Sequence, residues 1–306
     1  MTIPLTALAL VVASSLGWSG FDLLRKLLVR KVAPVALLLL LTLGSAPLFA
    51  LWLAADGAAA PAPGYLAPAL GSVLLNVAAN LLFLQGMRVA PISVVVPLLS
   101  LTPVFTTLTA IPLLGERPSA AGVAGILLVI AGAIWLNWPR RQAAPTDRTN
   151  PTDPAAEALA AGERRHALGG AAMVATTALL WSLTPPLDKL AVERAGAPLH
   201  GMVLNGGVAA AVFLVLAFQG GLGELGGVRR VPGLLVLALV VSSSALGLQL
   251  LAMPRVFVGT IETLKRGIGN CMALVYGHLL FGEVVTASKV LAVALMAAGV
   301  GLILGF

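Results

Sequence analysis

The sequence predicts an all-α membrane protein: ten transmembrane helices as two inverted five-helix repeats. Three observations carry that expectation. The 306 residues are 59% hydrophobic and only 10% charged, with a mean hydropathy of +1.00, whereas soluble domains average about 25% charged. The apolar residues gather into successive runs of spanning length, since a helix rises about 1.5 Å per residue and the hydrocarbon layer is roughly 30 Å thick. Short sequence marks also recur in the same order in the two halves of the chain.

In order, the apolar runs are roughly 3–22, 33–54, 65–87, 91–113 and 118–138, then 167–187, 197–219, 233–253, 256–281 and 286–305. No basic stretch precedes the first run, and Arg25, Lys26, Arg30 and Lys31 follow it. That pattern predicts an uncleaved first span and not a removed leader. The connection from Met87 to Pro91 is so short that the third and fourth spans must be antiparallel neighbours. The fourth span carries Pro91, Pro97, Pro103 and Pro112, and the ninth carries Gly267, Gly269 and Gly277. Interrupted helices at corresponding places in two halves point to a binding site; kinks that serve only packing are the alternative. Residues 139–166, rich in proline, alanine and charge, read as a tether without a core of its own. The domain plan is therefore 1–138, a linker at 139–166, and 167–306.

The repeat rests on three matched marks. Trp18-Ser19 recurs as Trp181-Ser182, each followed by a lysine, Lys26 and Lys189, eight residues after the tryptophan. Gly115-Glu116 recurs as Gly282-Glu283, and Ala131-Gly132 as Ala298-Gly299. Five spans per half is odd, so the second copy must run through the membrane upside down. Inverted repeats of this kind place a substrate site at the midplane between the halves. Thirteen of the 19 Lys and Arg residues fall on the side of the 22–32 loop and the linker; Arg117, Lys189, Arg194 and Arg255 fall on the other. Positive residues stay inside, which puts the linker in the cytoplasm and both termini outside.

The ninth span is where the charges are. Glu262, Lys265 and Arg266 lie well within its apolar limits, and Lys265 is about 14 Å from Val256 along the axis, near the midplane. A charge there costs at least ~2.5 kcal/mol, so it must face a partner or a watery hollow. The three share one helix face, at spacings of three and four. One carboxylate cannot neutralise two cations, and the surplus positive charge is what an anionic guest would need. A structural ion cluster is the competing reading.

Other polar residues are weighed more lightly. Asn76 and Asn80 share a face of the third span, with Gln85 further along, and Gln249 and Asn270 are the nearest equivalents in the second half. Membrane amides more often bond across helices, at ~0.6 kcal/mol each, than bind cargo; Asn80 is taken as lining the cavity. Asp22 with Arg25 and Lys26, and Asp188 with Lys189, stand at span ends and are expected to be water-facing pairs. Glu116 and Glu283 close a turn, and Gly122, Gly125, Ala131 and Gly132 mark close helix contacts. His278 reads as a structural histidine.

The marks assembled here resemble the drug/metabolite transporter superfamily in its EamA-type form, ten spans from a duplicated five. The resemblance is carried by the Trp-Ser pairs, by LLFLQGMRVAPISVVVPLLSLTPVF into the fourth span, and by the LLGE and LFGE endings. It implies transport across a plasma membrane, the bacterial inner membrane, and sets Trp18 and Trp181 as a symmetric pair flanking the cavity mouth. ETLKRGIGN further resembles the Lys-Arg pair with which triose-phosphate translocators hold a phosphate, which transfers to Lys265 and Arg266 alone. Those translocators also carry a lysine in the fourth span, and Ile92 to Leu114 has none. An anion of some kind is implied, not a sugar phosphate in particular.

The expected function is secondary transport of a small anionic or zwitterionic metabolite by alternating access. The expected substrate-binding set is Lys265, Arg266, Glu262, Asn80, Trp18, Trp181, Asn270 and Gln249. Its expected partners are that small molecule and the lipid bilayer, with one fused chain acting as a monomer. A proton-coupled exporter of drugs or amino acids is the alternative, although Ile3 to Phe21 lacks the acid such a carrier needs; a lipid flippase is another. An enzyme is not expected: the three histidines are scattered, and neither HExxH nor GxSxG occurs. No cofactor or metal is expected, Cys271 being the only cysteine. With 5% aromatics and scattered basic residues, no nucleic-acid partner is expected either.

Overall fold

The computed structural model describes residues 4–57, 60–89, 98–136, 154–282 and 284–304. Pro91 and Pro97, most of the linker, and Glu283 lie outside the described residues. Every regular element among those described is helical. In chain order these are α1 (Leu5–Leu28), α2 (Pro34–Asp56), α3 (Leu66–Val89), α4 (Thr102–Leu114), α5 (Ala120–Leu136), α6 (Pro154–Phe218), α7 (Pro232–Ala252), α8 (Val258–Phe281) and α9 (Ala287–Leu304). Two 3₁₀ segments, Gly221–Arg230 and Met253–Arg255, flank α7.

Local chemistry sets most of these limits. Arg25 and Lys26 occupy the last turn of α1, where cations suit the negative end of the helix dipole. Pro34 and Pro232 sit in the first turns of α2 and α7, where the missing N–H costs nothing. α4 and α8 stop at the two matched glycines, Gly115 (φ 66°) and Gly282 (φ 65°), both in the left-handed conformation that other residues resist. The glycines of the LLGE and LFGE endings are thus equivalent C-caps. α6 breaks at Gly196 (φ 75°, ψ 162°), two residues before Pro198, so it is two limbs joined at a corner.

Six apolar helical stretches are long enough to cross a membrane: Leu5–Leu28, Pro34–Asp56, Leu66–Gly86, Leu168–Phe218, Pro232–Arg255 and Ala287–Leu304. α4 and α5 are shorter apolar helices. Leu168–Phe218 spans 51 residues, more than twice what one crossing needs, and the corner at Gly196 divides it. α8 has the length, 24 residues, but holds Glu262, Lys265 and Arg266 in its first half. Leucines such as Leu51, Leu74, Leu127, Leu237 and Leu279 stand exposed around the bundle, as lipid contact requires.

Helices pack across the two halves more than within them. α1 lies against α7 and α8; the first limb of α6 lies against α3 and α4; α2 meets the second limb of α6, and α5 meets α9. The same contact recurs in detail. Ser14 Oγ, four residues before Trp18, donates to the Ala245 carbonyl at 2.7 Å. Thr177 Oγ1, four residues before Trp181, donates to the Ala79 carbonyl at 3.4 Å. Trp18 then meets Gln249 and Trp181 meets Phe83, each four residues beyond the accepting alanine. Gln249 therefore stands where the first half has Phe83, and not as the counterpart of an α3 asparagine.

α5 and α9 approach through their small residues. A Cβ on Gly125 would lie 2.5 Å from the Gly299 carbonyl oxygen, and one on Gly299 would lie 2.6 Å from that of Gly125. Gly132 faces the Ala292 carbonyl in the same way, at 2.8 Å. Gly122, expected to share this role, meets only Ser119 and Pro118 of its own segment. Gly125→Ala should therefore lower stability by about 1–3 kcal/mol through overpacking against backbone, read as the unfolding midpoint in detergent, while Gly122→Ala should not.

Candidate functional site

The charged face is built on α8, whose start is fixed by a residue of the other half. Glu116, just past the end of α4, accepts the Val258 amide at 3.0 Å, and the same carboxylate pairs with Lys189 Nζ at 2.8 Å. Lys189 also donates to the Val256 carbonyl at 3.1 Å. Burial pushes the Glu116 carboxyl above its ordinary range, and Lys189 pulls it back only in part. α8 thus starts where a buried ion pair holds it. One turn on, its polar face begins.

Glu262 is buried and ion-paired with Lys265, one turn along the same helix. Lys265 Nζ lies 5.9 Å from the centre of the Trp18 ring, within cation–π range. Trp18 Nε1 in turn donates to Gln249 Oε1 at 2.7 Å, and Gln249 is buried on α7. Four of the expected residues therefore meet, brought from α1, α7 and α8.

Arg266 is left over. Among the described residues no carboxylate lies within ion-pairing distance of it, and its Nε is buried with no hydrogen-bond partner. Asn270 Nδ2, one turn further on the same face, is buried and unpartnered too. Gly269 lies on the same face, and a Cβ there would meet nothing within 4 Å. An unsatisfied buried donor costs ~1–3 kcal/mol, more when charged. Glu262 has cancelled Lys265, so the uncancelled charge of the face is the guanidinium, beside an idle amide and an open space.

Asn80 and Trp181 stand apart from this group. Asn80 Nδ2 donates to the Asn76 carbonyl at 2.8 Å on its own helix, and Trp181 packs on Phe83 with ring centres 5.2 Å apart. Neither makes a hydrogen bond or ring contact with Trp18, Gln249, Glu262 or Lys265.

Two pairs at span ends correct the expectation. Asp22 and Arg25 do form a water-facing pair at 2.8 Å. Asp188 and Lys189 do not: both are buried, and each has its own partner from elsewhere in the chain. Lys189 reaches Glu116, 73 positions away. Asp188 accepts from Ser72 Oγ and from His200 Nε2, the latter at 2.9 Å with His200 fully buried. His278, by contrast, is exposed. A signal for the first pair existed: a lysine and a glutamate that are each duplicated in order, once per half, suit a contact made between halves. His200 gave none, because the corner at Gly196 breaks the helical spacing that would have linked it to Asp188.

The EamA-like transporter family matches residues 5–138. No curated protein matches the chain. Among solved structures, one described as "Crystal structure of protein" superposes with a TM-score of 0.70 over 97% of this chain and 95% of that one. At 17% identity this is a likeness of fold alone. Residues 5–138 are thus similar to the EamA-like transporters, and the apolar helices of spanning length are those of a multi-pass membrane protein.

Proposed function

We propose that the protein is a secondary transporter of a small anionic metabolite, or of a zwitterion held by its carboxylate. It works by alternating access between two inverted five-helix halves that make ten spans in all. The observation that carries this reading is the buried Arg266 Nε with no partner, next to the equally idle Asn270 Nδ2. A guanidinium presents a planar fork of donors that matches a carboxylate or phosphate. A bound anion would supply the acceptors both groups lack. Lys265, held by Glu262 and Trp18, adds field without leaving its partners. Gln249 fixes the Trp18 ring, and Asn80 and Trp181 line the opposite wall.

The inverted arrangement is supported by the matched contacts of Ser14 and Thr177, and by the crossing of each half's first helix over the third helix of the other. The excess of Lys and Arg on the linker side favours a bacterial inner membrane location, linker in the cytoplasm, termini outside. The fused repeat supports action as a monomer.

The test is uptake into proteoliposomes from a panel of labelled carboxylates, phosphate esters and amino acids, with neutral sugars and organic cations as controls. Saturable flux of an anion, absent for the cations, is the expected result. Flux of cations alone, unchanged by Arg266→Ala, would overturn the reading.

A further inference from the structure

A second buried polar group lies away from the α8 face, at the corner of α6. Asp188 closes the first limb and His200 opens the second, and their side chains meet across Gly196 at 2.9 Å. From Asp188 a ladder of polar contacts runs along α3. Ser72 Oγ donates to the carboxylate, Asn76 Nδ2 donates to the Ser72 carbonyl at 3.1 Å, and Asn80 Nδ2 to that of Asn76 at 2.8 Å. Ser72 to Asn80 is two turns, about 12 Å, which takes the ladder from the corner toward the middle of the bundle. Two atoms at the corner end have no partner: His200 Nδ1 and Tyr65 Oη, whose rings meet edge to face at 6.3 Å.

Among the described residues, His200 is the one basic group within ion-pairing distance of Asp188. Lys189 is committed to Glu116; Arg194, half-buried against Gly64, donates through Nη1 to the Leu190 carbonyl, and Glu193 is exposed. α2 turns Phe49 toward the second limb at Gly201, and its only charged residue, Asp56, is exposed at the far end. α4 has no charged residue at all. With Nε2–H donated to Asp188, a neutral His200 leaves the carboxylate as a buried net negative charge and Nδ1 as a bare acceptor. An uncompensated buried charge is costly. One proton on Nδ1 neutralises the pair, on a ring that packs edge to face with Tyr65.

We propose that Asp188 and His200 form a proton-binding site, and that its protonation holds the α6 corner shut against α3. The proton comes from water to Nδ1 while the corner is open, is sealed in when Asp188, Ser72 and His200 close, and returns to water on reopening. No bond other than N–H is made or broken. In a carrier, such a site ties proton binding to the opening of one end of the path. This deepens the transport reading and rests on it for that consequence, while proton binding itself does not.

Hydrogen–deuterium exchange in nanodiscs tests it, comparing segments 62–72 and 197–206 at about pH 5 and about pH 8, the range over which histidine changes charge. After correction for intrinsic rates, both segments of the wild type should exchange at least about tenfold more slowly at the lower pH, one factor of ten being ~1.4 kcal/mol. His200→Gln, which keeps a donor toward Asp188, should abolish the difference, and so should Asp188→Asn if His200→Gln misfolds. Lys265→Ala should keep it, even where that variant abolishes anion flux. Exchange that is flat with pH in the wild type, or equally pH-dependent in His200→Gln, overturns the proposal and leaves the anion site standing. A panel without anion flux, but with the wild-type pH response intact, sinks the transport reading and leaves the proton site.

Discussion

Arg266→Ala should reduce saturable uptake of the selected anion about 30-fold or more while leaving the unfolding midpoint unchanged or slightly raised. The two halves of that expectation have one cause. Truncating one partner of a buried, hydrogen-bonded charge pair costs ~2–5 kcal/mol, and each 1.4 kcal/mol is a factor of ten. The Arg266 Nε, however, has no hydrogen-bond partner within the protein, so its removal breaks no internal bond of that group. A residue that served the fold would show the opposite pattern, stability lost together with transport. Arg266→Lys should restore part of the uptake, since it keeps the charge and loses the fork. Transport kinetics beside thermal unfolding of the same detergent-purified variants decides it; unchanged uptake in both variants would remove Arg266 from the site.

Lys189→Met should be the most destabilising single change among the charged residues, by about 3–5 kcal/mol, because it strands Glu116 in a buried place with no cation. Glu116 would still hold the Val258 amide, so the damage should spread to the start of α8 and lower anion uptake as well. The double variant Lys189→Met with Glu116→Leu should recover most of the lost stability, since it removes the buried charges together. It should not recover α8 placement, because the amide loses its acceptor. Denaturant unfolding of the three variants measures this. A double variant no better than Lys189→Met alone would show that the pair is not coupled as its 2.8 Å contact implies.

Much of the protein was legible before folding. Apolar runs of spanning length, the glycine stops at Gly115 and Gly282, and the duplicated Trp-Ser and Gly-Glu marks are properties of adjacent residues, and local propensity with hydrophobic burial reads them directly. The surplus positive charge on α8 was legible too, because Glu262, Lys265 and Arg266 sit within one turn of each other. Asn80 was harder. Its position on an apolar span marks it as polar in oil, yet only its bond to the Asn76 carbonyl shows that it answers first to its own helix. The water-facing reading of Asp188 and Lys189 failed because charge at a span end looks the same in sequence whether it meets solvent or a distant partner.

The sequence alone determined that this is a helical membrane protein with marks that recur in order in its two halves and a cationic face in its ninth apolar run, since those follow from composition, from recurrence along the chain and from spacings of about one helical turn. Tertiary structure alone decided which cation the acid takes, that Arg266 is the one left bare, and that Lys189 and His200 are buried with Glu116 and Asp188. The reason is distance along the chain. A contact between residues 73 positions apart, or across a corner such as Gly196, has no period, and it exists only once packing has brought the two helices together.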